Sequence, residues 1–259
     1  MSEAEIAAKA ITFIDHTTLN DSDTVDSVTK FVEARLDCKP APAAFCIFPQ
    51  FVKAIKPILK EKAPHIKLAC VVNFPLGQDG VDKTVKDTTQ AVADGADEID
   101  MVIDYKEFRE DPVGSKPKVT ALVKAVCDAA HAKGVAVILE TGELKDASQI
   151  TAACEAVIEA GPEFLKTSTG KVPVNATPES VELLFKAAAK AKEAGKTVGV
   201  KVAGGVKTVA DAQAYIKMGD DIMGQGWLTP KTFRFGSSGL LPVCLGAIEG
   251  KAVAAGAGY

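Results

Sequence analysis

Two lysines of this 259-residue chain lie inside short apolar runs, Lys166 in EFLKTS (163–168) and Lys201 in TVGVKVAG (197–204). Successive side chains of a β-strand point to opposite faces, so the valines that alternate with Lys201 would pack outward and leave the lysine facing the interior. The same alternation predicts that Leu165 faces the surrounding helices and that Lys166 faces inward. The sequence therefore predicts two lysines in one small interior.

An unpaired ammonium group in such an interior is costly to desolvate, and ionisable groups held at that cost often have a function. Burial and a neighbouring cation both favour the neutral form of a lysine, which is the form that attacks a carbonyl carbon. The alternative is that each lysine extends to the end of its strand or pairs with a carboxylate. Because Lys166 and Lys201 lie on neighbouring strands and each precedes a glycine-containing turn, we favour nucleophilic chemistry.

Carboxylates are predicted to face the same interior. In EIDMVI (98–103), Glu98 and Asp100 share one face, while the apolar residues between them pack outward. Asp100 is positioned to hold a lysine or to transfer protons through a water molecule, and the alternative is an ordinary structural ion pair. Asp15 is a second inward candidate. Glu140 is a third, but the alternation around it does not decide which way it faces.

Two glycine-rich turns suggest a site for an anion. VAGGVK (202–207) and FGSSG (235–239) each lead from a predicted strand into a predicted helix. Free backbone N–H groups and the positive end of a helix can bind phosphate at such turns. TIM barrels often build their phosphate site from the loops after strands seven and eight, which is where these turns fall.

The elements that carry these residues alternate between short β-branched runs and longer amphipathic runs. Eight such units without a Pro/Gly/Ser-rich linker predict a TIM (β/α)8 barrel, α/β in class, as a single domain over residues 1–259. We also expect a short N-terminal helix and a flexible Ala/Gly-rich tail at 251–259. The predicted strands are 15–19, 43–48, 67–74, 98–103, 135–141, 163–168, 197–204 and 233–238. The predicted helices are 22–35, 51–62, 81–94, 118–132, 146–160, 178–194, 208–217 and 239–250.

Two alternatives to this assignment remain. DDIMG (220–224) is compatible with a strand, in which case DHTTL (15–19) would not be the first; we prefer DHTTL because a capped helix follows it. An open doubly wound sheet is the other fold considered, but no GxGxxG motif follows the first strand.

Glycines that follow predicted helix ends are expected to be left-handed caps. They are Gly95, Gly134, Gly161 and Gly195.

The composition narrows the class of partner. The chain is 47% hydrophobic and 25% charged, with a net charge of −4 at pH 7, which favours neither nucleic acid nor a membrane as partner. Six cysteines are scattered without CxxC pairing, and three of them lie in apolar runs, which suits reduced core thiols of a cytoplasmic protein better than disulfides. The three are Cys46, Cys70 and Cys244. Three histidines without ligand spacing give little basis for a metal site, so we expect none. A small-molecule substrate is the expected partner.

Several motifs together resemble the 2-deoxyribose-5-phosphate aldolase family, from about residue 11 to the C-terminus. The resemblance implies a TIM barrel and a class I aldolase that needs no metal or organic cofactor. It further implies reversible cleavage of 2-deoxy-D-ribose 5-phosphate to acetaldehyde and D-glyceraldehyde 3-phosphate, in deoxyribonucleoside catabolism. The matching segments are IDHTTL (14–19), ADEIDMV (96–102), ETGELK (140–145), FLKTSTGK (164–171), VGVKVAGG (198–205) and the terminal Tyr259.

The resemblance also assigns roles to residues. Lys166 matches the lysine that forms the Schiff base, Lys201 the second catalytic lysine and Asp100 the proton-relay aspartate. Tyr259 is expected to fold over the barrel mouth and help transfer a proton between enamine and iminium. The expected substrate-binding and phosphate-binding residues are Asp15, Thr169, Lys171, Gly204, Gly205, Ser237 and Ser238.

The chain departs from the family pattern in the FGSSG turn. The family has one residue between the glycine and a Ser-Ser pair, whereas here Ser237 follows Gly236 directly and Gly239 replaces the second serine. One hydroxyl of the phosphate site is therefore missing or displaced.

The rival functions are a phosphate-binding isomerase or epimerase and a non-catalytic barrel that binds sugar phosphates. A homodimer is the assembly considered.

Overall fold

Residues 1–251, which the computed structural model describes, form a closed barrel of eight parallel strands in chain order. Each strand pairs with the next, and β8 pairs with β1 to close the ring. The predicted (β/α)8 barrel is thus confirmed. The strands are β1 (Ile14–Thr17), β2 (Ala44–Ile47), β3 (Lys67–Val72), β4 (Glu98–Val102), β5 (Gly134–Ile138), β6 (Phe164–Lys166), β7 (Gly199–Ala203) and β8 (Phe233–Ser237).

Helices surround the barrel and cover its outer face. The larger hydrophobic core lies between strands and helices and includes the outward residues Ile99, Leu165 and Val200, because these alternate with the inward polar ones. The helices are α1 (Glu3–Ile11), α2 (Val25–Glu33), α3 (Val52–Lys62), α4 (Val81–Asp94), α5 (Tyr105–Glu110), α6 (Pro112–Ala130), α7 (Ala147–Ala160), α8 (Pro178–Glu193), α9 (Val209–Met223) and α10 (Leu240–Ile248).

The ambiguous DDIMG segment is helical. It forms the end of α9, so the DHTTL segment supplies the first strand, as expected. The expected N-terminal helix is α1, which begins at a capping box between Ser2 and Glu5 and packs against α9 and α10. None of the helices within residues 1–251 has the length and apolar character needed to cross a membrane.

Three expectations about helix ends were wrong. The helix predicted to end at 217 ends at Met223. The helix predicted to begin at 118 begins at Pro112, because Asp111 accepts a hydrogen bond from the backbone of Gly114 and proline fits the first turn. Gly134 is not a left-handed cap but the first residue of β5; His131, at φ 49°, takes the left-handed position instead.

The C-terminal tail lies almost wholly outside the described part of the chain. Residues 252–259, including Tyr259, are not among the described residues, so the expected flexible tail and the role of Tyr259 remain predictions.

Candidate active site

The strand register brings the two lysines together. Lys166 of β6 and Lys201 of β7 are direct partners in the parallel ladder, and each residue is 1% exposed. Asp100 of β4 lies between their side chains: its Oδ2 atom is 2.7 Å from Lys166 Nζ and 2.7 Å from Lys201 Nζ. The alternation in the sequence therefore predicted the facing of all three residues correctly.

The two lysines differ in their other contacts. Lys201 Nζ also lies 2.6 Å from Asp15 Oδ2 on β1, so it contacts two carboxylates, whereas Lys166 contacts one within residues 1–251. Burial lowers the pKa of Lys201, but Asp100 and Asp15 outweigh burial and raise it above its usual value. Burial raises the pKa of Asp100, yet the two lysines reverse that effect and hold it at about 2. Lys201 is therefore held as a cation and Asp100 as an anion.

Arg234 of β8 is a buried cation that was not among the residues expected at the site. Its Nη1 atom is 2.6 Å from Asp15 Oδ1, and its Nη2 atom is 3.0 Å from Glu98 Oε1. Its guanidinium carbon lies 5.5 Å from the centre of the Phe164 ring. The signal was present in the sequence, because Arg234 alternates with two phenylalanines in FRFGSS and must face inward if they face outward.

The side of the barrel interior that lies across from the two lysines is apolar. Leu19, Cys46, Ala69 and Val71 form a separate small cluster on the inner side of the barrel. Burial, and next Asp100, raise the pKa of the Cys46 thiol to about 12, so it stays protonated at neutral pH. An apolar wall beside buried lysines suits a small aldehyde, because it keeps bulk water away from the amine and holds the methyl group.

Glu140 lies at the mouth of the barrel and faces the loop after β6. Its backbone is left-handed, at φ 54°, which explains why the alternation left its facing undecided. Its carboxylate accepts hydrogen bonds from the backbone N–H of Thr169, at 3.2 Å, and from the Thr169 hydroxyl. The same hydroxyl oxygen accepts a bond from the Lys171 backbone at 3.0 Å, and Lys171 Nζ donates to the carbonyl of Leu19 at 2.6 Å. Thr169 and Lys171 are thus fixed at the rim.

The two glycine-rich turns meet at this same rim. Gly204 and Gly205 have φ of 75° and 84°, a region that side chains with a Cβ rarely adopt. The backbone N–H of Gly204 points to the carbonyl of Gly236 in the other turn, at 3.4 Å. The structure therefore brings together the two turns that the sequence offered separately as an anion site.

The two serines of the second turn have different surroundings. Ser237 Oγ accepts from the Leu240 backbone at 3.1 Å and donates to the carbonyl of Val206 at 3.3 Å, so its hydroxyl is already engaged within the protein. Ser238 Oγ is buried without a hydrogen-bond partner among the described residues. Of the two predicted serines, Ser238 is the one left free to receive a ligand. A three-residue cluster of His, Cys, Asp or Glu able to hold a metal ion does not occur in residues 1–251.

Comparisons with known proteins agree with this arrangement. A protein provisionally named deoxyribose-phosphate aldolase from Toxoplasma gondii shares 26% identity with the chain at a TM-score of 0.87, over 96% of each chain. Another with that provisional name, from Coccidioides immitis, shares 27% at a TM-score of 0.78, over 93% of this chain and 85% of that one. A tetrameric deoxyribose phosphate aldolase from Aeropyrum pernix shares 25% at a TM-score of 0.72, over 95% of this chain and 92% of that one.

A family model agrees with these structural neighbours. The model described as "DeoC/LacD family aldolase" matches residues 9–251, which is nearly the whole chain. The prediction of an aldolase, and hence of a carbon–carbon lyase with a small-molecule substrate, is confirmed. The chain belongs to the DeoC/LacD family of aldolases.

Proposed function

We propose that the protein is a class I aldolase in which Lys166 forms a Schiff base with acetaldehyde. The observation that carries the proposal is the unequal sharing of carboxylates between the lysines. Lys201 is held by Asp100 and Asp15, whereas Lys166 contacts Asp100 alone, so Lys166 is the lysine with fewer contacts to break before it attacks a carbonyl carbon. The Lys201 cation lies beside this amine and holds Asp100 next to it.

The reaction follows from this arrangement. The neutral Nζ of Lys166 attacks the carbonyl carbon of acetaldehyde. One proton from the amine and a second delivered through Asp100 and a water molecule go to the oxygen, which leaves as water, and an iminium remains. Loss of a proton from the α-carbon, taken by Asp100 through a water molecule, gives the enamine. The enamine carbon then bonds to the carbonyl carbon of a second aldehyde, whose oxygen takes up a proton. Water finally hydrolyses the new iminium and frees Lys166.

Asp100 suits this proton transfer because only one of its oxygens is occupied. Oδ2 contacts both lysines, whereas Oδ1 is buried without a hydrogen-bond partner among the described residues. A water molecule bonded to Oδ1 would lie beside the Schiff base. Tyr259 is proposed, from the resemblance alone, to assist the same proton transfer.

We infer that the second aldehyde is D-glyceraldehyde 3-phosphate, so that the cleaved substrate is 2-deoxy-D-ribose 5-phosphate. The names of the similar structures support this inference, as do the two glycine-rich turns at the rim. The amides of Gly205 and Ser238 and the N-terminus of α10 would hold the phosphate, with Lys171 beside them. Gly204, whose N–H donates to the Gly236 carbonyl, would shape the turn around it. Asp15 and Thr169 would line the pocket. A role in cytoplasmic deoxyribonucleoside catabolism, and assembly as a homodimer, belong to the same proposal.

The test is to trap the intermediate. The protein is incubated with acetaldehyde and borohydride, digested, and analysed by mass spectrometry for the reduced two-carbon adduct. We expect the adduct on Lys166 and expect Lys166→Ala to abolish it. An adduct on Lys201 with Lys166 unmodified would reverse the roles. Absence of any adduct, with sugar phosphate still bound, would favour a non-catalytic barrel, and isomerase or epimerase activity without trapping would favour the other rival.

A further inference from the structure

Seven charged side chains of alternating sign form a continuous line through the barrel, which we name the charge column. It begins at Lys166 and passes through Asp100 to Lys201. Beyond Lys201, the chain of contacts runs away from the amine that forms the Schiff base and towards the opposite end of the barrel. The members in order are Lys166, Asp100, Lys201, Asp15, Arg234, Glu98 and Lys67.

Arg234 is the next cation of the column after Lys201, and it contacts neither Lys166 nor Asp100. Its side chain is 3% exposed and contacts two carboxylates, Asp15 and Glu98. Its Nε atom donates to the carbonyl of Pro230, so each of the three guanidinium nitrogens has a hydrogen-bond partner. Asp15 is thereby held with one oxygen on Arg234 and the other 2.6 Å from Lys201 Nζ.

We propose that Arg234 is a positioning residue of the aldol reaction, which holds Asp15 against Lys201 and so fixes the Lys201 cation beside the amine that reacts. This inference rests on the proposed function, since it concerns the reactivity of the same lysine. Arg234 does not touch the reacting atoms. It acts because a buried charge, poorly screened by water, is felt by neighbouring groups over several ångströms.

The sign of the effect follows from the charges that face each group. Arg234 contacts Asp15 of β1 and Glu98 of β4, is the register partner of Lys201 of β7, and has Glu163 nearby before β6. Removing the arginine charge leaves the column more negative by one unit. A more negative interior stabilises the ammonium form of a lysine, so more alkaline conditions are needed to free the amine. The groups that face Lys166 itself are Asp100, Lys201, Glu140 and Cys46.

The test compares the acidic limb of kcat/KM for cleavage of 2-deoxyribose 5-phosphate in charge-changing variants. We expect Arg234→Met to move the midpoint of that limb upward by about half a pH unit or more. Glu98→Gln removes an anion instead, and we expect a smaller shift downward. The double variant removes one charge of each sign and should return the midpoint towards that of the wild type.

A matched control lies at the outer end of the column. Lys67 contacts Glu98 at 2.7 Å, but its side chain is 47% exposed, so solvent screens its charge. Lys67→Met should therefore leave the midpoint within the error of measurement. A charge that acted only through overall fold stability would not produce shifts of opposite sign in Arg234→Met and Glu98→Gln.

The outcomes separate this inference from the proposed function. If wild-type protein shows no borohydride-trapped adduct at Lys166, the proposed function fails. If the adduct forms but neither Arg234→Met nor Glu98→Gln moves the acidic limb, the role of Arg234 is overturned. Arg234→Met leaves two buried carboxylates without their cation and is the variant at risk of not folding. Glu98→Gln keeps the Arg234–Asp15 contact, and its downward shift then decides the question.

Discussion

Lys166 and Lys201 are equally buried on neighbouring strands, yet their surroundings give them different chemistry. Lys201 contacts the carboxylates of Asp100 and Asp15, which raise its pKa against the effect of burial. A lysine held in this way is a fixed cation rather than a nucleophile. Its positive charge and its hold on Asp100 are what it contributes to the reaction at Lys166.

Replacing this cation tests its role at the scale of a single residue. In Lys201→Leu, Asp100 is left to Lys166 alone, so the ammonium form of Lys166 is favoured. We expect kcat/KM at pH 7 to fall at least about tenfold and to recover partly as the pH is raised. The measurement is a pH–rate profile from about pH 5 to 10, with circular dichroism as the control for folding. An unchanged profile and unchanged turnover would contradict this role for Lys201.

At the scale of elements, the site depends on where strands seven and eight end. The turn from β7 to α9 and the turn from β8 to α10 place backbone N–H groups at one rim of the barrel, joined by the Gly204–Gly236 contact. A Cβ at Gly204 would lie 2.6 Å from the side chain of Asn175, so the close approach requires glycine there. The net charge of −4 supplies no general attraction for phosphate, so binding must depend on such local geometry.

Gly205→Val should weaken phosphate binding specifically. The position has φ 84°, which valine disfavours, so the turn must rearrange. We expect KM for 2-deoxyribose 5-phosphate to rise about tenfold or more, while cleavage of unphosphorylated 2-deoxyribose is nearly unchanged. The control is Gly224→Val, which carries a similar backbone penalty at φ 91° at the far end of α9. Equal losses with both substrates in Gly205→Val would argue against a phosphate role.

At the scale of the whole molecule, the free energy of unfolding depends on buried titratable groups that are neutral in the folded state as well as on buried ion pairs. His16 of β1 points outward from the barrel and stacks on Phe31 of α2, with ring centres 4.2 Å apart. Burial, and next the positive charge of Arg35, lower the pKa of His16 to about 3. The imidazole is therefore neutral in the folded protein at pH values where an unfolded chain binds a proton.

This difference predicts a loss of stability in mild acid. The pKa of His16 is depressed in the folded state, so its contribution is complete above the unfolded value of about 6.5 and is lost as the pH falls towards 3. One such proton lowers the free energy of unfolding by about 1.4 kcal/mol per pH unit within that window. His16→Gln should flatten this slope in urea unfolding measured between about pH 7.5 and 4.5. His65→Gln, at an exposed position, is the control and should keep the wild-type slope.

The sequence by itself determined which residues face inward. Alternation along a strand fixes the side of each residue regardless of what lies opposite, so the pattern alone placed Lys166, Lys201 and Asp100 correctly. Glycines after the last two strands likewise predicted an anion site, because the backbone of glycine accepts φ values that close such turns. The number of βα units was enough to predict the barrel.

Only the tertiary structure decided which charges meet. Closing the barrel places β8 beside β1, and this brings Arg234 to Asp15 across 219 positions of sequence, a pairing that no local pattern encodes. Glu140 was undecided for a different reason, because a single left-handed residue ends the alternation and turns the side chain towards Thr169. Whether a side chain points inward or outward is a local property of its strand. Which charged group it contacts depends on the register and closure of the whole sheet. The second carboxylate that distinguishes Lys201 from Lys166 is therefore a product of the folded barrel.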